Sequence, residues 1–482
     1  MAIQIFNTMT RKKEPFVPLH PPHVTIYNCG PTVYDHFHIG NARNFVVMDV
    51  VRRYFEYCGY QVKFVQNLTD IDDKIIRRAA EEHTTFQAIT DRYIPCYFED
   101  ARKLRIRPAD LHPRATEHIG EIVVFIQDLI AKGFAYEING SVYFSVSRDK
   151  EYGKLSGRRV EDLLEGARVE VSEEKQEAAD FALWKSAKPR EPAWESPWGR
   201  GRPGWHIECS VMAMRHLGDT IDIHAGGTDL TFPHHENEIA QSECRTGKPF
   251  ARYWMHNGFL NIDGEKMSKS LGNFKRVDQV LEHFSPAAIR YFLLSAHYRH
   301  PLDLAEEALE EAVAAVRRIN DTLETGAKIL AIEPLAPTPA GASESEEVVA
   351  LRGRFQTMMD DDFNTPRALA VLFDVVGLIH ETRAAAQSET DDEKRARLHR
   401  LAALVGFGRA LRDFFSLEVE AAEAAPRGAL TEPLMDLLIE TRGLARQAKQ
   451  FAIADRIRDR LGELGLVLED HPQGTIWKRK ES

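Results

Sequence analysis

The sequence predicts an α/β fold built on a doubly wound, Rossmann-like parallel sheet, and two separated stretches carry that prediction. In the first, His23-Val24-Thr25-Ile26-Tyr27 is rich in β-branched and aromatic residues, as a half-buried strand requires. Val47, Val50, Val51, Tyr54 and Phe55 then recur at helical spacing, and Val62 and Phe64 alternate as a second strand. In the second stretch, Asp219 to His224 alternates as a strand, Gly226-Gly227 reads as a tight turn, and a helix begins at His234. Two such halves, separated by roughly 150 residues, fit a doubly wound sheet with a large insertion and a ligand across the strand C-termini.

The loop between the first strand and helix, YNCGPTVYDHFHIGN from Tyr27 to Asn41, has no GxGxxG. It offers Cys29 in a Gly/Pro turn, then His36, His38, Gly40 and Asn41 at the helix entry. Free N–H groups at a helix N-terminus beside a glycine make a phosphate site. Capping and packing account for two histidines there equally well.

Further elements follow in order. Asp70, Asp72 and Asp73 precede a basic helix start, and Thr84 to Lys132 reads as helical, with an apolar stripe of Ile122, Val123, Phe125, Ile126 and Leu129 and a stop at Gly133. Asn139-Gly140 between two short β-prone runs predicts a hairpin. Asp149 to Arg202 is charged, Gly/Pro-punctuated and aperiodic, and predicts an insertion over a sheet rather than part of a core. WMHNGFLNIDGEKMSKSLGNF predicts a short hairpin and a Gly/Lys/Ser loop. Arg276 to Glu324 reads as helical, Glu333 to Glu347 as a Pro/Ser/Glu-rich linker, and Thr365-Pro366 as an N-cap and first turn. Helical segments then run to about Leu417 and a loop covers Ala421 to Pro433. The tail from Leu434 predicts two amphipathic helices, a short strand at Gly465-Leu466-Val467-Leu468 and a basic end.

The totals restrict the class. A chain of 482 residues holds about three domains by length, and 43% hydrophobic with 28% charged residues is an ordinary globular composition. No run approaches the ~20 apolar residues of a membrane span, and MAIQIFNTMTRKKEPF lacks a signal-peptide core, so a cytoplasmic protein that touches no membrane is expected. Five widely spaced cysteines argue for individual thiols in a reducing compartment. A formal net charge of -11 leaves any nucleic-acid contact to local basic patches.

Three constellations carry chemistry. Lys266-Met267-Ser268-Lys269-Ser270, flanked by Gly264 and Gly272, puts two ammoniums within reach of phosphate oxygens, as a nucleotidyl transfer needs; a solvated basic loop is the alternative. Cys29, Cys209, His234 and Glu238 form a possible zinc set, with His234 and Glu238 on one helix face, although His235 and Glu236 compete for those roles. Gly226-Gly227-Thr228-Asp229 lets backbone approach a ligand, with a carboxylate to hold an ammonium or a ribose hydroxyl; an ordinary capped turn reads the same.

His38-Ile39-Gly40-Asn41 and Lys266-Met267-Ser268-Lys269-Ser270 together resemble the two signatures of class I aminoacyl-tRNA synthetases. The surrounding CGPTVYD, NLTDIDDK, GRPGWHIECS, FPHHENEIAQ and EKMSKSLGNF, the DDDFNTP segment and the terminal LEDHPQGTIWKRK resemble the cysteinyl-tRNA synthetase family over nearly the whole chain. That resemblance implies an ATP-dependent ligase that charges tRNA(Cys) with L-cysteine through an adenylate, using one zinc ion and Mg2+ with the ATP. It implies Cys29, Cys209, His234 and Glu238 as zinc ligands. Cys29, Gly30, Thr69, Trp205 and Asp229 would face the amino acid, Trp205 as a wall and Asp229 for its ammonium. His38, Gly40, Asn41, His224, Gly226, Gly227, Lys266 and Lys269 would hold ATP, with His38, Asn41, Lys266 and Lys269 catalytic. Arg446, Phe451, Asp455, Arg458 and Asp470 match positions near the anticodon. The implied organisation is a catalytic domain over 1–275 with an insertion at roughly 112–202, stem-contact helices over 276–330, a helical bundle over 331–425 and a small anticodon-binding domain over 426–482, in a monomer.

The chain departs from the family pattern at Asn41, where the generic signature has His, at Arg77, where the family's KIIK ends in Lys, and at Phe451, where a Trp is common. A related ligase that joins cysteine to an amino sugar is the close rival, and the long C-terminal region argues against it. A catalytically silent zinc and RNA-binding module is disfavoured by Lys266, Lys269 and His38.

Overall fold

The computed structural model describes residues 2–158, 175–189, 191–262, 265–266, 275–333, 345–383, 389–419, 431–471 and 474–479. It divides into two compact units, Met1–Glu418 and Val419–Ser482.

The first unit is organised on seven elements: β1 (His23–Asn28), α1 (Ile39–Tyr57), β2 (Gln61–Gln66), α2 (Trp205–Leu217), β3 (Ile221–Gly227), α3 (Glu236–Thr246) and β4 (Ala251–Asn257). The strands form a parallel sheet in the order β4-β3-β1-β2. Val24, Ile26 and Tyr27 of β1 and Ile221, Ile223 and Ala225 of β3 are fully buried, as strands covered on both faces require. One polar residue fixes the register. Asp222 of β3 accepts hydrogen bonds from the Thr25 backbone and hydroxyl at 2.8 Å and from the Leu19 amide at 2.6 Å. The strand order reverses between β1 and β3, so the chain leaves those two neighbours in opposite directions and opens a crevice at their C-terminal ends.

Between the two halves lies a four-stranded antiparallel sheet, Ala135–Ile138, Ser141–Phe144, Phe181–Ser186 and Gly201–Pro203. The predicted hairpin is present, with Asn139 and Gly140 both at positive φ. The stretch from Asp149 to Arg202 differs from its prediction, because Phe181, Leu183 and Trp184 pack into a core with Phe125, Ile126 and Leu129. The strand Phe181–Ser186 carries that contribution, six residues too short to show against charged flanks.

Two long helical predictions are interrupted in the structure. Phe86–Lys103 and Ile119–Ala131 are helices, but the span between holds Pro108 and Pro113 and only a short 3-10 turn, Ala115–His118. Past Arg276 the helices Val277–Leu281 and Pro286–Leu294 lead into a strand, Leu302–Leu304, before the long helix Glu306–Ile332. That strand pairs in parallel with Leu260–Ile262, which also pairs with Glu265–Lys266 in the predicted hairpin. Glu346–Asp360, Thr365–Thr382 and Asp391–Phe415 complete a helical bundle around Leu323, Leu372, Val375, Ile379, Leu401 and Leu404. The cap before Pro366 is Asn364, which accepts from the Arg367 amide; the Thr365 hydroxyl instead donates to the Leu294 carbonyl.

The second unit consists of helices Thr431–Gln447 and Phe451–Glu463 and the antiparallel pair Leu466–His471 and Gly474–Arg479. Among the described residues no helix is long and apolar enough to cross a membrane.

Candidate active site

The crevice at the sheet reversal is built by three chain crossings. After β1 the Cys29 amide donates to the Ala225 carbonyl of β3 at 3.1 Å, which carries the pairing one residue past the strand. The Gly30 amide then donates to the Asn67 side chain at 2.9 Å, and Thr69 exchanges backbone hydrogen bonds with Pro31 and Val33. Thr69 is thereby buried beneath the loop that starts at Cys29, its hydroxyl accepting from Asn67 at 3.2 Å.

At the helix entry His38 is the N-cap of α1, and its Nδ1 accepts from the Asn41 amide at 3.1 Å. Capping and a phosphate-facing helix end are therefore compatible at this residue, since one ring nitrogen satisfies the helix. His38, Gly40 and Asn41 line a cleft of about 290 Å3 together with Cys29, Gly30, Trp205, Gly227 and Asp229. A larger surface groove, about 680 Å3, is lined by Val124, Phe125, Met214 and Arg215 and contains none of the sequence-predicted site residues.

Cys29, on the cleft wall, also belongs to a cluster of buried ligand-type side chains. Ligand atoms of Cys29, Cys209, His234 and Glu238 all lie within 4.8 Å of one another. Glu238 Oε1 stands 3.1 Å from His234 Nε2 and 3.8 Å from Cys29 Sγ. A second set, Cys29, His224, His235 and Glu238, meets the same criterion. In it Glu238 Oε2 is 2.9 Å from His224 Nε2, and Cys29 Sγ is 3.3 Å from His235 Nε2. His235 continues through His256, 2.8 Å away, to the Thr8 hydroxyl. Glu236 is excluded from either set: its carboxylate accepts from the amides of Gly153, Leu155 and Ser156 and ties down the insertion.

Burial sets the electrostatics. It pushes the Cys29 thiol and the Glu238 carboxyl well up and holds His234 and His235 well below the ordinary imidazole range. His206, His224 and His256 are each brought down to about 3 by the same cause. Protons hold the Cys29 and Glu238 groups neutral, and a divalent cation can take their place. Two thiols, an imidazole and a carboxylate are the donors that a zinc ion takes in tetrahedral geometry, so the residues fit that metal.

Trp205 stacks on His234 with ring centroids 4.2 Å apart and remains 38% exposed, so it lies beside both the buried ligand-type cluster and the cleft it lines. Asp229 sits exposed at the cleft mouth. Gly226 and Gly227 do not form the predicted turn; they end β3, paired with His256 and Asn257. A Cβ on Gly226 would lie 2.8 Å from the His235 ring, so a glycine is needed for strand and histidine to approach. His224, expected beside ATP, is fully buried and bonded to Glu238, with the ligand-type cluster rather than on the cleft surface. Lys266 lies in the hairpin strand, its side chain outside the description, and Lys269 lies outside the described residues.

The five positions expected near the anticodon all fall in the second unit. Phe451 is 58% exposed, Arg458 and Asp455 form an i, i+3 ion pair at 3.3 Å, Arg446 is in the last turn of its helix, and Asp470 is in the hairpin. The sequence reading missed His206, His256 and Arg43; the first two lie on α2 and β4, where the topology alone brings them beside His234 and His235.

Residues 15–314 match the family described as tRNA synthetases class I (C) catalytic domain, and residues 354–408 match the DALR domain. Over full length, the chain is 48% identical to a cysteine–tRNA ligase of Aquifex aeolicus, with 100% of both chains covered. It is 52% identical to one of Symbiobacterium thermophilum, covering 99% of this chain and 100% of that one. This chain belongs to the cysteine–tRNA ligase family. Membership makes it a class I aminoacyl-tRNA synthetase, and the solved structures agree in fold. A Mycobacterium tuberculosis methionyl-tRNA synthetase bound by methionyl-adenylate superposes with a TM-score of 0.62 at 16% identity, covering 81% of this chain and 91% of that one. A putative arginyl-tRNA synthetase of Campylobacter jejuni gives 0.56 at 14%, over 82% and 92%. The DALR match of the family falls on the helical bundle of the first unit, over helices Glu346–Asp360, Thr365–Thr382 and Asp391–Phe415.

Proposed function

We propose that the protein ligates L-cysteine to tRNA(Cys) in two steps, with ATP and Mg2+ as the nucleotide substrate and one zinc ion selecting the thiol. The observation that carries the reading is the junction at Cys29-Gly30: one turn belongs both to the buried ligand cluster and to the cleft that reaches the α1 N-terminus. The amino acid and the nucleotide would thus meet across a single loop.

In the first step the cysteine carboxylate attacks the ATP α-phosphate, an adenylate forms and pyrophosphate leaves. Trp205 walls the amino acid, and Asp229 holds its ammonium by charge. Gly40 presents its backbone amide at the helix N-terminus to the phosphates, with Asn41 beside it and His38 fixing that end through the Asn41 amide. Lys266 and Lys269 are assigned the charge that develops on the α-phosphate. Cys29, Cys209, His234 and Glu238 are the residues that would hold zinc. When bound, that ion supplies a soft Lewis acid that favours a thiolate over the harder hydroxyl of serine. In the second step a ribose hydroxyl of the tRNA terminal adenosine attacks the acyl carbon and AMP leaves, a transfer that depends on positioning.

The DALR match, the second unit and full-length identity to cysteine–tRNA ligases favour tRNA over an amino-sugar acceptor. Phe451 offers an aromatic face for base stacking, with Arg446, Asp455, Arg458 and Asp470 assigned to the anticodon beside it. A cytoplasmic monomer is part of the same reading. The test is label exchange between pyrophosphate and ATP without tRNA, followed by charging of total tRNA with single amino acids. Exchange dependent on cysteine, and charging with cysteine and not serine, are expected; absence of exchange from zinc-loaded protein overturns the reading.

A further inference from the structure

Arg43 is the most unusual buried group near the cleft that the mechanism does not use. It lies two residues past Asn41 on α1 and is fully buried; burial, with no carboxylate paired to it among the described residues, draws its guanidinium down to about 10. A buried cation without a counter-ion is costly, so its hydrogen bonds have to offset the desolvation. They go to four backbone carbonyls on two segments. Nη1 donates to Gly258 and Phe259 at 2.9 Å, and Nη2 donates to His297 at 3.3 Å and His300 at 2.5 Å.

The two segments are also joined to each other. The Gly258 amide donates to the Tyr298 carbonyl at 2.8 Å, and a Cβ on Gly258 would lie 2.6 Å from the His300 carbonyl oxygen. Gly258 and Phe259 line the cleft that His38, Gly40 and Asn41 also line. The 297–300 turn is in turn held by Asp362, a buried residue at positive φ between the bundle helices Glu346–Asp360 and Thr365–Thr382. Its carboxylate accepts from the Tyr298 hydroxyl and from Arg299 Nε, both at 2.7 Å, and from the Phe6 amide at 2.9 Å.

We propose that Arg43 is a positioning residue for the nucleotide step: it sets the spacing between the α1 N-terminus and the Gly258–Phe259 wall, with Asp362 anchoring the turn on which that wall rests. The proposal rests on the reading of the cleft as the ATP site. Misplacement of a phosphate-binding helix end by a fraction of an ångström weakens the pyrophosphate-forming step without touching the thiol-binding cluster.

The experiment is cysteine-dependent pyrophosphate exchange with Arg43→Met, Arg43→Lys and the milder Tyr298→Phe, alongside bound zinc and the thermal midpoint. Arg43→Met is expected to lower kcat/KM for ATP about 10-fold or more while KM for cysteine stays within about 2-fold and zinc content is unchanged. Arg43→Lys recovers part of the loss, and Tyr298→Phe lowers kcat/KM for ATP about 3-fold with an unchanged thermal midpoint. If Arg43→Met does not fold, Tyr298→Phe decides alone. Equal changes in the ATP and cysteine parameters, or none in Tyr298→Phe, overturn the proposal. His38→Ala separates the two readings: if it spares ATP use, the cleft assignment fails, and if it abolishes ATP use while the Arg43 and Tyr298 variants leave kcat/KM for ATP unchanged, only the positioning role fails.

Discussion

Glu238 is where the chemistry of the ligand-type cluster concentrates. One of its oxygens faces His234 and Cys29 and the other faces His224, so a single carboxylate belongs to both possible ligand sets. Cys209 distinguishes them, since it contributes only to the set with two sulfurs. Cys209→Ser is therefore expected to lower zinc per chain and to erode cysteine-over-serine selection together; metal analysis and serine-dependent exchange measure both, and unchanged metal content would remove Cys209 from the site. At this scale the sequence was informative where residue type restricts chemistry. The i, i+4 pair His234–Glu238 followed from spacing, whereas its grouping with Cys29 and Cys209 was made firm by the family resemblance. The structural role of Glu236 depended on which backbone amides reach its carboxylate, and no spacing encodes that; His234 and His235 each belong to one of the two ligand sets.

Among elements, α1 is the central one, with Val46, Val50, Val51, Tyr54 and Phe55 essentially inaccessible and its N-terminus at the cleft. It is fastened to the helix Pro286–Leu294 by a buried ion pair, Asp49 with Arg290 at 2.8 Å, and Arg290 also donates to the Leu104 and Phe415 carbonyls. The cationic neighbours Arg290, Arg53 and Arg107 together hold the Asp49 carboxyl below its ordinary range despite burial, which alone would raise it. Arg290→Met leaves the buried Asp49 carboxylate with the partly exposed Arg53 and Arg107 alone and is expected to cost about 3 kcal/mol, whereas adding Asp49→Leu recovers part of that loss. Urea unfolding of both variants checks this; a double variant no more stable than the single one would show the pair contributes through packing alone. Elements were readable where periodicity was long or turn chemistry strict, as in α1 and the Asn139-Gly140 hairpin. They were not readable where proline interrupts an otherwise helical composition, at Pro108 and Pro113, or where a short strand such as Phe181–Ser186 sits among charges.

At the scale of the whole molecule, the fold buries histidines in the uncharged form. Burial draws His112 and His297 to about 4, and His206, His224 and His256 to about 3. In the unfolded chain each would titrate near 6.5, so as pH falls below that value the unfolded state takes up protons the folded state refuses. Stability is fully present at neutral pH and is lost progressively from about 6.5 towards 4 and below. Each such group adds a slope of up to about 1.4 kcal/mol per pH unit in that window. His112 tests this away from the ligand-type cluster: its ring packs edge-on against Tyr97 and Phe98, and its Nε2 accepts from the Ala109 amide at 3.1 Å. Glutamine preserves an acceptor there and does not titrate. His112→Gln is therefore expected to shallow the acid limb of a stability-against-pH curve, measured by urea midpoints between pH 8 and 4.5, while leaving zinc content unchanged. An acid limb as steep as that of the parent chain would mean that His112 is protonated in the folded state and that its burial carries no penalty.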